Sequence, residues 1–114
     1  MADCLFCKIA AREIDAKIVH EDERAVAFED INPAAPTHLL VIPRRHIDTL
    51  NDATAADEEA LGHCVTVAGQ LAQARGIAAP GWRLVANCNA GAGQTVFHVH
   101  FHVLGGRTMG WPPG

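Results

Sequence analysis

Histidines and apolar residues alternate in the segment His98-Val99-His100-Phe101-His102-Val103-Leu104. Because the side chains of a β-strand point alternately to its two faces, the pattern predicts a strand with three histidines on one face and apolar residues on the other. Neighbouring positions on one face lie roughly 6–7 Å apart, which is close enough for the imidazoles to serve one site or two adjacent sites.

Three histidines on one strand face allow two kinds of chemistry. Neutral ring nitrogens can bind a catalytic metal such as zinc. One neutral imidazole can instead attack phosphorus or carbon while its neighbours orient it and move protons. The preceding loop favours the second, because its glycines, backbone amides and hydroxyl suit a tetrahedral anion such as phosphate. That loop is Gly91-Ala92-Gly93-Gln94-Thr95.

The segments around the histidines predict an α+β fold in which helices pack on an antiparallel sheet of about five strands. The strands are predicted over residues 17–20, 25–29, 39–42, 82–87 and 96–104. The helical spacing of apolar residues predicts a short helix over 5–13. A second, long helix is predicted to start at the capping box Thr54-Ala55-Ala56-Asp57 and to end at Gly76.

Length and composition favour a single domain over residues 1–114, with 107–114 as a C-terminal tail. Hydrophobic residues make up 49% and charged residues 19% of the chain, a balance that is typical of folded rather than disordered proteins. The net charge of −4 argues against a nucleic acid polymer as partner. Only 5% of the residues are aromatic, so the core is thin, which favours a dimer.

The sequence predicts a cytoplasmic protein that does not enter a membrane. Its first residues lack the basic start and long apolar run of a secretory signal. The longest uncharged segment, 84–106, is interrupted by histidines, asparagines and glycines, so it does not form a membrane span of about 20 apolar residues. The four cysteines are therefore expected to be thiols or metal ligands rather than a disulfide framework.

Four segments carry a resemblance to a known family, and together they cover nearly the whole chain. The histidine strand and its flanks closely resemble the signature of the histidine triad superfamily, in Gly93-Gln94-Thr95-Val96-Phe97-His98-Val99-His100-Phe101-His102-Val103-Leu104-Gly105-Gly106-Arg107. The other three resemble its Hint branch: Ala27-Phe28-Glu29-Asp30-Ile31-Asn32-Pro33, Pro36-Thr37-His38-Leu39-Leu40-Val41-Ile42-Pro43, and the tail Trp111-Pro112-Pro113-Gly114.

The resemblance implies an enzyme that hydrolyses the P–N bond of purine nucleoside 5′-phosphoramidates, in which a nucleotide is joined through phosphorus to an amine. It also implies binding of purine nucleoside monophosphates, no organic cofactor, and a homodimer with one continuous sheet. Two alternatives stay open. Other branches contain dinucleoside polyphosphate hydrolases and nucleotidyl transferases, and a nucleotide-binding regulatory protein would use the same fold without turnover.

The resemblance also implies a role for individual residues. His100 is implied as the nucleophile that forms a nucleotidyl-histidine intermediate, and His38 supports a relay behind it. His102 and Thr95 are implied as phosphate contacts, with Thr95 keeping a hydroxyl where the Hint branch usually has serine. The other nucleotide-binding residues are Phe28 and Ile31 near the base, Asp30 at the ribose, Asn87, Gly93 and Gln94 along phosphate and ribose, and Trp111, which reaches the partner's active site.

Cys4-Leu5-Phe6-Cys7 has the spacing of a metal-binding pair, but two thiolates are only half of a tetrahedral zinc site. The resemblance to bacterial triad proteins implies structural zinc, with His46 and His98 as the other two ligands. The alternative is two reduced cysteines on a short helix. Residues expected to lie outside any site are Cys64 in the core, Cys88, and His20 and His63 at the surface or the edge of the core.

Overall fold

The structure is a computed structural model that describes residues 3–114. A five-stranded antiparallel sheet forms its centre, with the strand order β1-β2-β3-β5-β4. The strands are β1 (Ile18–Glu21), β2 (Ala25–Glu29), β3 (Thr37–Pro43), β4 (Trp82–Val85) and β5 (Phe101–Gly105). The helices are α1 (Leu5–Ala10) and α2 (Glu58–Ala74). The predicted α+β class, with about five strands and two helices, is confirmed.

Helix α2 begins and ends as its sequence predicts. The side chains and backbone amides of Thr54 and Asp57 form the capping box, around a 3₁₀ turn over Ala55–Asp57 that leads directly into α2. At the other end Gly76 has φ +72°, and the amide of Ile77 donates to the carbonyl of Ala72 at 3.1 Å. This is a Schellman ending, which needs a left-handed residue that glycine adopts without strain.

The two helices cover opposite faces of the sheet. On the α2 face, the buried cluster includes Cys64, Val67 and Leu71 from the helix and Val99, Phe101 and Val103 from the segment that carries the histidines. On the α1 face, Phe6 and Ile9 pack against Val26, Phe28, Leu40 and Ile42. The expectation that Cys64 is a core residue is confirmed. No helix within residues 3–114 combines the length and the apolar character that a membrane crossing requires.

Strand β5 starts later than predicted, at Phe101 rather than at residue 96. The cause is its neighbour β3, which pairs Val41 with Phe101 and ends two residues later at Pro43. Proline has no N–H to donate to the ladder at this point. The approach to β5 is held instead by the amide of Val99, which donates to the carbonyl of Ile47 at 2.7 Å.

The end of β5 lies very close to the loop that follows α2. A Cβ atom on Gly105 would lie 2.5 Å from Cδ1 and 2.9 Å from Cβ of Ile77. Since the Cβ of Ile77 cannot rotate away, no side chain larger than hydrogen fits at residue 105 without moving the backbone. Glycine is required here by close approach, and it fixes where the C-terminal end of β5 sits against the helix layer.

Candidate functional site

The histidine face of β5 borders a cavity of about 310 Å³ between α1 and the sheet. Its walls are mostly apolar and include several polar side chains, which is the usual composition of a small-molecule site. Six of the residues predicted from the sequence line it: Phe28, Asp30, Ile31, Thr95, His100 and His102. Ile31 is 91% exposed at the mouth, whereas Phe28 is buried in the wall.

One nitrogen of the His100 ring is tied to the backbone. Its Nδ1 lies 2.7 Å from the carbonyl oxygen of His98, two residues earlier. A carbonyl oxygen can only accept, so Nδ1 carries the proton and Nε2 keeps its lone pair. His100 is buried and also lines the cavity.

A series of hydrogen bonds, from the backbone of Ala34 through His38, fixes the tautomer of His102. The backbone N–H of Ala34 donates to Nδ1 of His38 at 2.9 Å, so the proton of His38 sits on Nε2. That Nε2 lies 2.9 Å from Nδ1 of His102 and 3.4 Å from Oδ2 of Asp30. His102 therefore accepts at Nδ1 and carries its own proton on Nε2.

Burial keeps His38 and His102 neutral at physiological pH, because it lowers the pKa of both rings. Burial, with the nearby rings of His100 and His38, lowers the pKa of His102 from 6.5 to about 4. Burial also lowers the pKa of His38, although the charge of Asp30 opposes that shift. Neutral rings act as paired donors and acceptors, so the hydrogen-bond chain from Ala34 through His38 to His102 persists at neutral pH.

The loop before the histidines is a turn whose backbone amides are mostly bonded within it. Residues Ala90–Ala92 form a 3₁₀ turn, and the amides of Ala92, Gly93 and Gln94 donate to carbonyls within it. These amides are therefore not free to meet a phosphate, which corrects the expectation for the backbone of Gly93 and Gln94. Thr95, at the exit of the turn, is exposed and lines the cavity.

The side chain of Gln94 also has a different role from the predicted one. It is 4% exposed, and its amide nitrogen donates to the carbonyls of Asp48 at 2.8 Å and Val96 at 3.1 Å. Its oxygen accepts from the amide of Asn89 at 2.7 Å. All its polar atoms thus bind backbone, so Gln94 holds the turn in shape and does not line the cavity.

A second cluster lies at the N-terminal end of α1, where Cys4 caps the helix. Cys4, Cys7, His46 and His98 bring one ligand atom each within 4.8 Å of the others. Sγ of Cys7 lies 3.3 Å from Nδ1 of His46, and Sγ of Cys4 lies 3.4 Å from Nδ1 of His98. In a tetrahedral zinc site, sulfur and nitrogen ligands lie about 3.5 Å apart. The donor set and its spacing therefore fit zinc.

Both histidines of this cluster are oriented by acceptors on their far nitrogens. Nε2 of His98 donates to the carbonyl of Pro43 at 2.7 Å, and Nε2 of His46 lies 2.5 Å from a carboxylate oxygen of Asp48. Such partners leave Nδ1 unprotonated and facing the thiols, as in known metal sites. Burial, reinforced by Cys4, raises the pKa of the Cys7 thiol to about 11, so a bound cation is needed to make it a thiolate at neutral pH.

The three triad histidines do not converge on one point. His98 turns its free nitrogen to the thiols, while His100 and His102 line the cavity. Within residues 3–114, no candidate metal group contains all three. The alternative of a catalytic metal held by the three histidines is therefore wrong for this arrangement.

Asn87 and Trp111, like His38, Gly93 and Gln94, lie outside the cavity lining. Asn87 is half-buried beside the turn, with its Nδ2 4.0 Å from the place of a Cβ on Gly93. Trp111 is 83% exposed in the tail, where the guanidinium of Arg83 lies 5.9 Å from its ring centre. A larger, more open depression of about 580 Å³ lies near this tail, and it contains no histidine, cysteine or carboxylate.

One cluster was missed by the sequence reasoning. Nε2 of His20 and Nε2 of His63 both lie 2.7 Å from the same oxygen of Asp22. Burial alone would raise the pKa of Asp22, but hydrogen bonds from both histidines and from the amides of Arg24 and Ala25 hold it well below its usual range. The cluster joins the β1–β2 turn to α2. No signal in the sequence links residues that lie 41 positions apart.

The fold, the histidines at the cavity and the Cys/His cluster are the features by which we compare this protein with known families. The family model described as HIT domain matches residues 11–109 of the chain. The chain belongs to this family, so the resemblance to histidine triad proteins is confirmed. Its known relatives include the purine nucleoside phosphoramidase of Escherichia coli (strain K12), which is 49% identical over 108 residues, 95% of this chain and 91% of that protein.

Solved structures agree with this assignment. A HIT family hydrolase from Legionella pneumophila Philadelphia 1 superposes with a TM-score of 0.96 at 55% identity, over 98% of this chain and 100% of that one. A HIT family hydrolase from Clostridium thermocellum gives a TM-score of 0.94 at 46% identity, over 96% of each chain.

Proposed function

We propose that this protein hydrolyses the P–N bond of purine nucleoside 5′-phosphoramidates through a nucleotidyl-histidine intermediate. The observation that carries the proposal is the ring of His100, whose Nδ1 is tied to the carbonyl of His98 at 2.7 Å while the ring lines the cavity. This leaves one lone pair, on Nε2, as the nucleophile. The E. coli relative named purine nucleoside phosphoramidase supports the same reaction class.

The residues that line the cavity can contact the base, the ribose and the phosphate of a nucleotide. Phe28 and Ile31 offer apolar contact to a base, and the carboxylate of Asp30 can accept hydrogen bonds from ribose hydroxyls. Oδ1 of Asp30 already accepts from the amide of Asn32 at 2.8 Å, which fixes the carboxylate in place. The phosphate would then lie at the polar side of the cavity, near His100.

In the first step, the Nε2 lone pair of His100 attacks phosphorus and the P–N bond to the amine breaks. The electron pair leaves with the amine, which takes up a proton. Negative charge builds on the phosphate oxygens as the bond forms, and the Nε2–H of His102 is the donor that would stabilise it. The hydroxyl of Thr95 is a second donor at the same side of the cavity.

In the second step, water attacks the same phosphorus and the bond from phosphorus to Nε2 breaks. The products are a nucleoside 5′-monophosphate and neutral His100, so the cycle closes without any other reactant. Proton transfers at both steps need a hydrogen-bond donor and an acceptor held close to the reacting atoms. The chain from His38 to His102 supplies a fixed donor–acceptor pair beside the reacting atoms.

We also propose that Cys4, Cys7, His46 and His98 bind structural zinc. Four protein ligands make a closed site with no open position for substrate. When bound, the ion would cross-link α1 to the end of β3 and to the approach to β5, and it would take no part in the reaction. A cytoplasmic location is part of the same proposal, because reduced thiols are typical of that compartment.

The proposal includes a homodimer with one continuous sheet. The two edges of the sheet are β1 and β4. The register of β1 with β2 is irregular between Ile18 and His20, which makes it a poor edge for further pairing, whereas β4 pairs regularly. We therefore expect β4 to pair with its copy, and sedimentation of the purified protein to give twice the chain mass. A monomer at micromolar concentration would contradict this part.

The test of the reaction is hydrolysis of an adenosine 5′-phosphoramidate by purified protein, with a dinucleoside polyphosphate as the competing substrate. We expect faster release of AMP from the phosphoramidate, and a nucleotidyl adduct on the protein after rapid quenching in alkali. Preference for the dinucleoside polyphosphate would instead favour another branch of the superfamily. Binding of AMP without any turnover of either substrate would favour a regulatory protein.

A further inference from the structure

Phe6 has contacts that the proposed reaction does not yet use. Its ring lies 5.0 Å from the ring of His100, at an interplanar angle of 89°. The side chain is 5% exposed and is also packed edge-on against Phe28, with ring centres 5.3 Å apart. An edge-to-face contact of this kind is favourable by its own geometry and not only by the area it buries.

The hydrogen bond to His98 does not by itself fix the ring of His100. It fixes Nδ1 near one carbonyl oxygen, but the imidazole can still turn about that contact and swing Nε2 away from a phosphorus atom. The ring of His102, 5.1 Å away at 60°, limits this motion on one side. Phe6 is the second aromatic neighbour, and its perpendicular ring limits the motion on another.

The position of Phe6 is set by the helix that carries it. It lies on α1 between Cys4 and Cys7, whose sulfur atoms lie 3.3–3.5 Å from the imidazoles of His46 and His98. Helix α1 is only six residues long, which is too short to be stable alone. Its hold on the protein therefore comes from the thiol–imidazole cluster and from Phe6 and Ile9 in the core beneath it.

We propose that Phe6 is a positioning residue for His100, which keeps Nε2 directed at phosphorus by holding the imidazole edge-to-face from a helix anchored at both cysteines. The inference deepens the proposed function and rests on His100 being its nucleophile. A reacting group that is misplaced by about 1 Å costs roughly 100-fold in rate, so loss of the aromatic wall should act on the chemical step.

The test compares Phe6→Leu with Val26→Ala. Val26 belongs to the same buried cluster but does not line the cavity, so its truncation lowers stability without touching His100 or the ligand. We expect Phe6→Leu to slow the single-turnover rate roughly tenfold to 100-fold while the dissociation constant for AMP changes less than about threefold. Val26→Ala, at a similar loss of melting temperature, should keep nearly the wild-type single-turnover rate.

A second measurement does not depend on turnover. The Nδ1–H proton of His100, bonded to the carbonyl of His98, should give a downfield proton signal in NMR spectra of the zinc-loaded wild-type protein. We expect this signal to broaden or exchange faster in Phe6→Leu and to stay sharp in Val26→Ala.

The outcomes separate this inference from the proposed function. Equal effects of the two substitutions on rate and on the NMR signal would overturn the role of Phe6. A change in AMP affinity with an unchanged single-turnover rate would overturn it too, because Phe6 would then be only part of the cavity wall. If the wild-type protein cleaves no phosphoramidate, the proposed function fails, and the NMR comparison alone decides whether Phe6 holds the ring.

Discussion

His98 and His100 are two positions apart, yet their rings are held by opposite nitrogens. His98 donates from Nε2 to the carbonyl of Pro43, so its Nδ1 faces the thiols of Cys4 and Cys7. His100 donates from Nδ1 to the carbonyl of His98, so its Nε2 keeps the free lone pair. Both bonds are 2.7 Å long and both acceptors are backbone carbonyls.

The difference shows that the backbone, rather than the type of residue, selects the chemistry of each imidazole. In the proposed function, the same type of side chain serves as a metal ligand or as a nucleophile according to which ring nitrogen donates to a carbonyl oxygen. His98, from the cysteine cluster, and His100, from the cavity, are only two residues apart in the sequence. Because each cluster has its own hydrogen bonds, a substitution in one cluster should change the readout of that cluster, metal content or turnover, more than the readout of the other, which the following substitutions test.

The largest effect is expected from His100→Ala, which removes the proposed nucleophile. Turnover of an adenosine phosphoramidate should fall by at least about a thousandfold, because no other group on the histidine face has a free lone pair at that point. His100→Gly should behave alike, and added imidazole is expected to restore part of the rate. His63→Ala is the control, a partly buried histidine outside both clusters. Near-normal activity of His100→Ala would exclude it as nucleophile.

A smaller loss is expected from His38→Leu, which removes the proton that His38 directs at Nδ1 of His102. We expect kcat to fall roughly 100-fold, in the range of general acid–base effects. His38→Gln is the matched variant, since its amide can still donate toward His102, and it should lose less. Equal activity of both variants with wild type would show that the tautomer of His102 does not matter.

Cys4→Ser and Cys7→Ser should affect the metal cluster rather than the cavity. We expect about one zinc per chain in wild-type protein prepared without a histidine tag, and its loss in both variants. The melting temperature should drop by roughly 10 °C or more, with less loss of activity than in His100→Ala. Cys88→Ser, outside the cluster, should keep its zinc. Wild-type protein free of metal after growth with ample zinc would contradict the site.

The pH dependence of stability should reveal the neutral state of His102. Its pKa is about 4 in the folded chain and 6.5 as the ordinary value, so between these pH values the unfolded chain binds a proton that the folded chain does not. Its share of stability is therefore complete above about pH 6.5 and declines as pH falls toward 4. Melting temperatures of His102→Ala should decline less steeply over that range than those of wild type. Thr95→Val, in the same cavity without a titrating group, should keep the wild-type slope.

The smallest effect is expected from deletion of the tail, residues 111–114. Trp111 is 83% exposed and its ring centre lies 5.9 Å from the guanidinium of Arg83, so the melting temperature should change little. If the tail reaches the partner's cavity, the ratio of kcat/KM between small and bulky leaving amines should change. Arg83→Ala, which removes the cation beside the Trp111 ring and its hydrogen bond to the carbonyl of Gly110 but keeps the tail, is the comparison. An unchanged ratio after deletion would argue against the tail as a specificity element.

The sequence predicted those parts of the fold that depend on local signals, such as helix caps and glycines. The capping box at Thr54 and the glycine at residue 76 delimit α2 in the sequence and in the structure. Helix α1 ends three residues before its predicted end, because Arg12 takes the left-handed conformation at φ +59° that glycine usually signals. No glycine marks the place, so the sequence could not show it.

The sequence predicted those site residues that lie two positions apart on one face of an extended segment. It did not predict the contacts that tertiary packing makes between distant residues. His100 and His102 line one cavity as the pattern predicts. The bond from Gln94 to the carbonyl of Asp48 was not predictable, since it joins residues 46 positions apart. The same holds for Asp22, which receives His20 from its own hairpin and His63 from α2.

Gly105 constrains the register of β5, that is, which residue of the strand lies opposite Ile77. A strand that slips by two residues keeps every side chain on its original face, so alternation leaves several alignments of β5 equally acceptable. Such a slip would bring Val103 or Arg107 to the place where even one added carbon meets Ile77 at 2.5 Å. A missing carbon atom at residue 105 thus selects one alignment from that set, and with it the height at which His102 faces His38.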